Sequence, residues 1–111
     1  MRWLYHLRLA SPPPTGRYAP ASFASEGFIH ASFRDDVLES ARLHFPAGAS
    51  LEVLRIDPRR LDVRVEVVAT PRGHMPHIHG SIPVLAIIRV MTLAVFEEDL
   101  GALPDKLTES G

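Results

Sequence analysis

Trp3, Tyr5 and Leu7 alternate with Leu4, His6 and Arg8. This period of two, built from aromatic and branched residues, predicts a first strand over about residues 2–9. On that strand His6 points to the face opposite Tyr5. The run Ser11-Pro12-Pro13-Pro14-Thr15-Gly16 cannot supply ladder donors and predicts a semi-rigid loop. Gly27 to Ala31 is a short apolar run that predicts a second strand. Ser32 with Asp35 three residues on resembles a capping box and predicts a helix start. Val37, Leu38, Ala41 and Phe45 then fall at helical spacing, with Asp36, Glu39 and Arg42 on the other side, until Pro46 and Gly48 end the helix.

Leu51 to Asp57 predicts a third strand, followed by a turn at Asp57-Pro58-Arg59-Arg60. Val63, Val65 and Val67 alternate with Arg64 and Glu66, which predicts a fourth strand with Glu66 on its less apolar face. Thr70 to Pro76 reads as a loop. The apolar stretch Pro83–Leu93 predicts a short turn and a buried fifth strand at about 86–93. From Glu97 the chain turns polar, so residues 1–96 are expected to form one α+β domain and 97–111 a polar, partly disordered tail. The expected fold is a small mixed or antiparallel sheet with one main helix packed on it.

The chain has 111 residues, which suits one domain. Its 12 basic and 13 acidic residues are interspersed, so there is no basic patch for nucleic acid. No cysteine is present, which excludes a disulfide scaffold, a thiolate zinc site and a cysteine nucleophile. No apolar run reaches the length of a membrane span, and the opening residues go straight into a strand pattern. The expectation is a cytoplasmic protein with no nucleic-acid or membrane partner; the sequence names no protein partner.

Concentrated chemistry lies in histidine. Three of the six fall within Gly73-His74-Met75-Pro76-His77-Ile78-His79-Gly80. Neutral imidazole is the commonest metal ligand, so His74, His77 and His79 form the alternative of a metal site, although the spacing lacks helical logic and a fourth ligand is missing. The main expectation is no metal. His6 sits mid-strand near aromatics. His30 sits in a strand otherwise made of Phe28, Ile29 and Ala31, where an imidazole needs a partner. His44, at the helix end, reads as a favourable charge near the C-terminus. Glu66 lies within an apolar strand, either facing the histidines as acid, base or cation stabiliser, or pairing outward with Arg64 or Arg55.

Tyr5-His6 in the first strand, Glu26-Gly27-Phe28-Ile29-His30-Ala31-Ser32 before a helix, Val63-Arg64-Val65-Glu66, and Pro76-His77-Ile78-His79-Gly80 together resemble a family of small bacterial proteins, domain of unknown function nine hundred and fifty-two. The resemblance runs from about Trp3 to Leu93. Members usually carry tyrosine where this chain has His79. The family's fold is grouped with the ADP-ribosyltransferase-like folds, in which a first-strand histidine contacts the NAD ribose, a second strand with a following serine walls the nicotinamide, and a later glutamate assists. The resemblance thus implies His6 as the first-strand histidine, Gly27 to Ser32 as the second-strand segment and Glu66 as the glutamate. The ordered set of polar residues on otherwise apolar strands then makes His6, His30, Glu66 and His77 the candidate catalytic residues, with Tyr5, Tyr18, Ser32 and His79 as candidate ligand contacts. NAD is then a candidate substrate rather than a bound cofactor, and the ligand is a small nucleotide. The remaining alternative is a non-enzymatic interaction module whose histidines form a structural network.

Overall fold

The computed structural model describes residues 1–107. In chain order the elements are β1 (Leu4–Leu9), β2 (Arg17–Tyr18), α1 (Phe23–Glu26), β3 (Ile29–His30), α2 (Val37–His44), β4 (Leu51–Ile56), β5 (Val65–Thr70), β6 (Gly73–Ile78), β7 (Ile82–Pro83), β8 (Ile87–Thr92) and α3 (Leu93–Asp99). Single 3₁₀ turns precede α2 and β8 and follow β4 and α3. The strands form two three-stranded antiparallel sheets, ordered β1-β4-β8 and β3-β6-β5, and a ribbon of β2 with β7. No helix among the described residues is long and apolar enough to cross a membrane.

The period of two in β1 has a direct structural meaning. Leu4, with Leu54 and Ile56 of β4, faces a core shared with Ile29, Ile78 and Ile82 of the second sheet and ribbon. Trp3 and Tyr5, with Val53 and Met91, face a second core built on α2 and α3 through Val37 and Phe96. Ile29, Ile78 and Ile82 are fully buried, each contributing about 1.5–3 kcal/mol of transfer free energy.

One proline decides where the sheets part. Ile29 and His30 pair with Ile78 and His77. The next pair bonds once only: Ala31 N–H donates to the Pro76 carbonyl at 3.1 Å, and Pro76 has no N–H to return. The chain then leaves β6 and bridges to β1. Ser32 N–H donates to Tyr5 C=O at 2.7 Å, and Tyr5 N–H to Ser32 C=O at 2.9 Å. Beyond this bridge the two sheets diverge, and His6 is the first β1 residue past it.

Several expectations need correction. The segment Thr70–Pro76 is not a loop: apart from the tip at Pro71 and Arg72 it forms a hairpin, and β6 is the central strand of its sheet. Its Gly and Pro disguise a strand whose partners are supplied by distant residues. The fourth strand starts later than Val63 and runs on to Thr70. Ser32 does not cap the helix. Its hydroxyl is buried against Ser40 Oγ at 3.0 Å, and a 3₁₀ turn over Arg34–Asp36 leads into α2 without a side-chain cap. The fifth strand, β8, is an edge strand whose Ile88 and Val90 are exposed rather than buried.

Two helices, not one, pack on the first sheet. The polar stretch from Glu97 begins inside α3 and stays ordered against the core: Leu103 is buried, and the Pro104 carbonyl accepts the Tyr5 hydroxyl at 2.6 Å. The expected disorder of the last residues, 108–111, lies outside the described region.

Candidate functional site

Where the sheets part, a cleft of about 1110 Å³ opens to solvent. Leu7 and Leu9 of β1, Ala19 to Ala21 of the loop after β2, and Met75 of β6 give it apolar walls. Among its polar lining are His6, Tyr18, Glu26, His30, Ser32 and His77.

His6 is buried, and both of its ring nitrogens are engaged. Nδ1 lies 2.6 Å from the His30 carbonyl and Nε2 lies 2.9 Å from the Tyr18 hydroxyl. A carbonyl can only accept, so Nδ1 carries the proton and donates; Nε2 is then the acceptor and Tyr18 O–H the donor. Burial holds the His6 pKa down at about 4, so the ring is neutral near pH 7. Burial also raises the Tyr18 hydroxyl, against the opposing charge of Arg8, whose guanidinium lies 5.4 Å from the Tyr18 ring centre. Arg8 is itself held by Glu52 at 3.0 Å and by the carbonyls of Ser11 and Pro12, which ties the proline-rich loop to the cleft.

His30 and His77 stand directly opposite each other on β3 and β6, and Glu66 of β5 continues the row. The two rings meet edge to face at 5.5 Å. Phe28 stacks on His77 at 4.1 Å and meets His30 at 4.7 Å. His30 is largely exposed rather than buried, and its Nε2 lies 2.6 Å from Glu26 Oε2. The His77 pKa is lowered, first by burial and then by the neighbouring charges of His30 and His79.

At the other end, Arg72 from the β5–β6 turn reaches across to α2. It donates to Glu39 at 2.7 Å and to Ser40 at 2.9 Å, and Ser40 continues to Ser32. His44, at the last residue of α2, lines the same end.

The structure therefore brings His6, Tyr18, His30, Ser32 and His77 to one cleft. It does not bring Glu66 or His79 there. Glu66 shares the face of His77 but stands one strand further out, where its carboxylate meets His79 Nε2 at 3.0 Å and Arg64 at 3.6 Å. Outward pairing is thus the arrangement that Glu66 adopts. Tyr5 borders the cleft, but its ring belongs to the opposite core, where it packs edge-on against Phe96 and bonds Pro104. His74, His77 and His79 do not converge, because alternation along β6 sends His74 and His77 to opposite faces. Among the described residues no group of three His, Asp or Glu is arranged to hold a metal ion.

The carboxylate that does line the cleft is Glu26, which sequence reasoning passed over. Its signal was local: Glu26 precedes His30 by four residues with Gly27 between them. Gly27 ends α1 in the left-handed region at φ 78°, which only glycine adopts freely, and this reversal returns the chain towards Glu26. Arg72 and Phe28 were also missed. Arg72 acts through a contact between distant segments, which no local pattern announces.

Comparisons with known proteins agree with this architecture. The crystal structure of protein CC0527 from Caulobacter crescentus matches with a TM-score of 0.69 at 24% identity, covering 81% of this chain and 84% of that one. A double mutant of the same protein matches with a TM-score of 0.69 at 23% identity over the same shares. At these identities the likeness concerns the fold. No curated protein matches the chain. The family described as "Protein of unknown function (DUF952)" matches residues 9–90, most of the chain, and the protein belongs to that family.

Proposed function

We propose that the cleft between the parted sheets binds a nucleotide of NAD or ADP-ribosyl type. The observation that carries this reading is the convergence of His6, His30 and His77, from three strands, on one cleft. Small-molecule sites are mostly apolar hollows of roughly 300–1,000 Å³ with a few convergent polar groups. At about 1110 Å³ this cleft is large enough for a dinucleotide. Its apolar walls suit flat heteroaromatic rings, and the imidazoles of His30 and His77 suit the hydroxyls of ribose, while His6, with both ring nitrogens bonded within the protein, holds the His30 carbonyl. Arg8 and Arg72 also line the cleft, each paired with a carboxylate, Glu52 and Glu39. The divergence of two antiparallel sheets beside a first-strand histidine also supports grouping the fold with the ADP-ribosyltransferase-like folds.

Calorimetry with NAD and with ADP-ribose tests the reading. Saturable heat is expected for at least one of them, weakened about tenfold or more in His77→Ala, whose half-buried ring can be removed without emptying a core. The absence of binding at millimolar ligand would sink the proposal.

A second reading, a non-enzymatic module with a structural histidine network, is favoured by His6 alone, because its ring is buried and both nitrogens are bonded within the protein. It predicts that His6→Ala unfolds readily while His77→Ala changes no ligand affinity, since there would be no ligand.

A further inference from the structure

We infer that Arg55 and Arg89 form a binding site for a phosphate group, on the side of the first sheet opposite the cleft. The site is independent of the nucleotide reading above. Arg55 of β4 stands in the ladder between Tyr5 of β1 and Arg89 of β8. Alternation along the strands puts these three on the face opposite to that of His6 and Leu54. Like charges directly opposite each other destabilise a sheet, so two arginines in register call for an anion between them. The carboxylates at hand are already engaged. Asp57 is held by Arg59 at 2.9 Å, with Arg60 at 3.7 Å, and Asp105 is held by Arg2 at 3.0 Å. Asp99 meets Arg89 at 3.4 Å in an exposed pair. Arg55 forms no ion pair among the described residues, and its Nε is buried without a hydrogen-bond partner there. A buried donor left unmatched is uncommon in a native fold and points to a ligand.

The surroundings hold the Arg55 guanidinium in place without neutralising it. Its Cζ lies 4.8 Å from the centre of the Trp3 ring, which Arg59 also approaches at 6.0 Å. Trp3 is buried, so stacking on it fixes the plane of the guanidinium. Its charge acts on the Tyr5 hydroxyl, but that hydroxyl is spent on the Pro104 carbonyl. A phosphate supplies what these groups lack. It brings up to two negative charges for two guanidinia, and its oxygens point several ways, so Arg55 and Arg89 can donate to it together. A carboxylate presents one edge, which a single guanidinium fork uses up. Asp99 gives way readily, because an exposed ion pair is worth little. Free phosphate and the phosphate of a small monoester offer the same oxygens, and the experiment separates the two sources.

The test titrates the full-length protein with inorganic phosphate and with glycerol phosphate by calorimetry, against sodium chloride of equal ionic strength. Saturable heat is expected in wild type with phosphate. Affinity should fall about tenfold or more in Arg55→Gln and in Arg89→Gln, the scale of losing one charged hydrogen-bond donor. Arg55→Lys keeps the charge without the fork and should recover part of the loss. Arg64→Gln removes a cation from the second sheet and should stay within about twofold of wild type. Phosphate should also raise the melting temperature of wild type but of neither glutamine variant, a readout that a purely structural arginine would not move. If Arg55→Gln fails to fold, Arg89→Gln, on an exposed edge strand, carries the test. Binding of phosphate alone assigns the site to the free ion, and binding of both assigns it to the phosphate group of a larger molecule. Equal responses to phosphate and chloride would overturn the site, and so would phosphate binding that survives both arginine substitutions.

Discussion

Tyr18 donates its hydroxyl proton to His6 Nε2 across 2.9 Å, joining β2 to β1 at the floor of the cleft. Both groups are buried, so neither has water as a substitute partner. Tyr18→Phe keeps the ring and deletes the donor, stranding a buried acceptor. The expected loss is about 1–3 kcal/mol, read from urea unfolding midpoints. A change below about 0.5 kcal/mol would mean that His6 Nε2 is not desolvated.

The same burial predicts how stability depends on pH. His6 has a folded pKa of about 4, depressed from an ordinary 6.5. Its contribution is therefore fully present above the unfolded value and is lost as pH falls towards the folded one, because the unfolded chain takes up a proton that the folded chain refuses. His77 is shifted in the same direction. Unfolding free energy should fall between about pH 6.5 and pH 4 by roughly 3 kcal/mol on account of His6, at 1.36 kcal/mol per unit. Denaturant titrations across that window in wild type and His6→Leu check this; the variant should show a distinctly shallower slope.

Glu66 offers a contrast with Glu26. Its partners, His79 and Arg64, lie outside the cleft, and the pairs are exposed. Glu66→Gln should change stability by no more than about 0.5 kcal/mol. Nucleotide affinity should stay within about twofold by calorimetry. A tenfold loss of affinity would place Glu66 at the ligand, contrary to its position here.

Gly80 closes the Pro76-His77-Ile78-His79-Gly80 motif for a packing reason. A Cβ on it would overlap Val63 Cγ1 and lie 2.9 Å from Val63 Cβ, on a stiff branched side chain. Gly80→Ala should cost about 1–3 kcal/mol as overpacking. Adding Val63→Ala should recover part of that loss in a double-mutant cycle, whereas simple additivity would refute the steric account.

Much of the first sheet was legible in the sequence. The alternation in Trp3–Arg8 marked β1 and correctly assigned Tyr5 and His6 to opposite faces, and Leu51–Ile56 and the helical spacing of Val37 and Ala41 marked β4 and α2. These signals are local, because a strand or helix that buries one face writes its period into neighbouring residues. What lies beyond them depends on pairings between distant residues. β6 contains Gly73 and Pro76, which read as a loop until β3 and β5 pair with it on either side. The parting of the sheets turns on a missing N–H at Pro76 and the bridge from Ser32 to Tyr5.

By itself, the sequence determined that His6 and His30 lie on strands with few other polar residues, and it singled out His77 without placing it on a strand. Only the tertiary structure decided that these three share a cleft, that Glu26 lines it with them and that Glu66 lies outside. A carboxylate's place is fixed by the side chain that reaches it in space: Gly27 turns the chain so that Glu26 meets His30, while His79 holds Glu66 away.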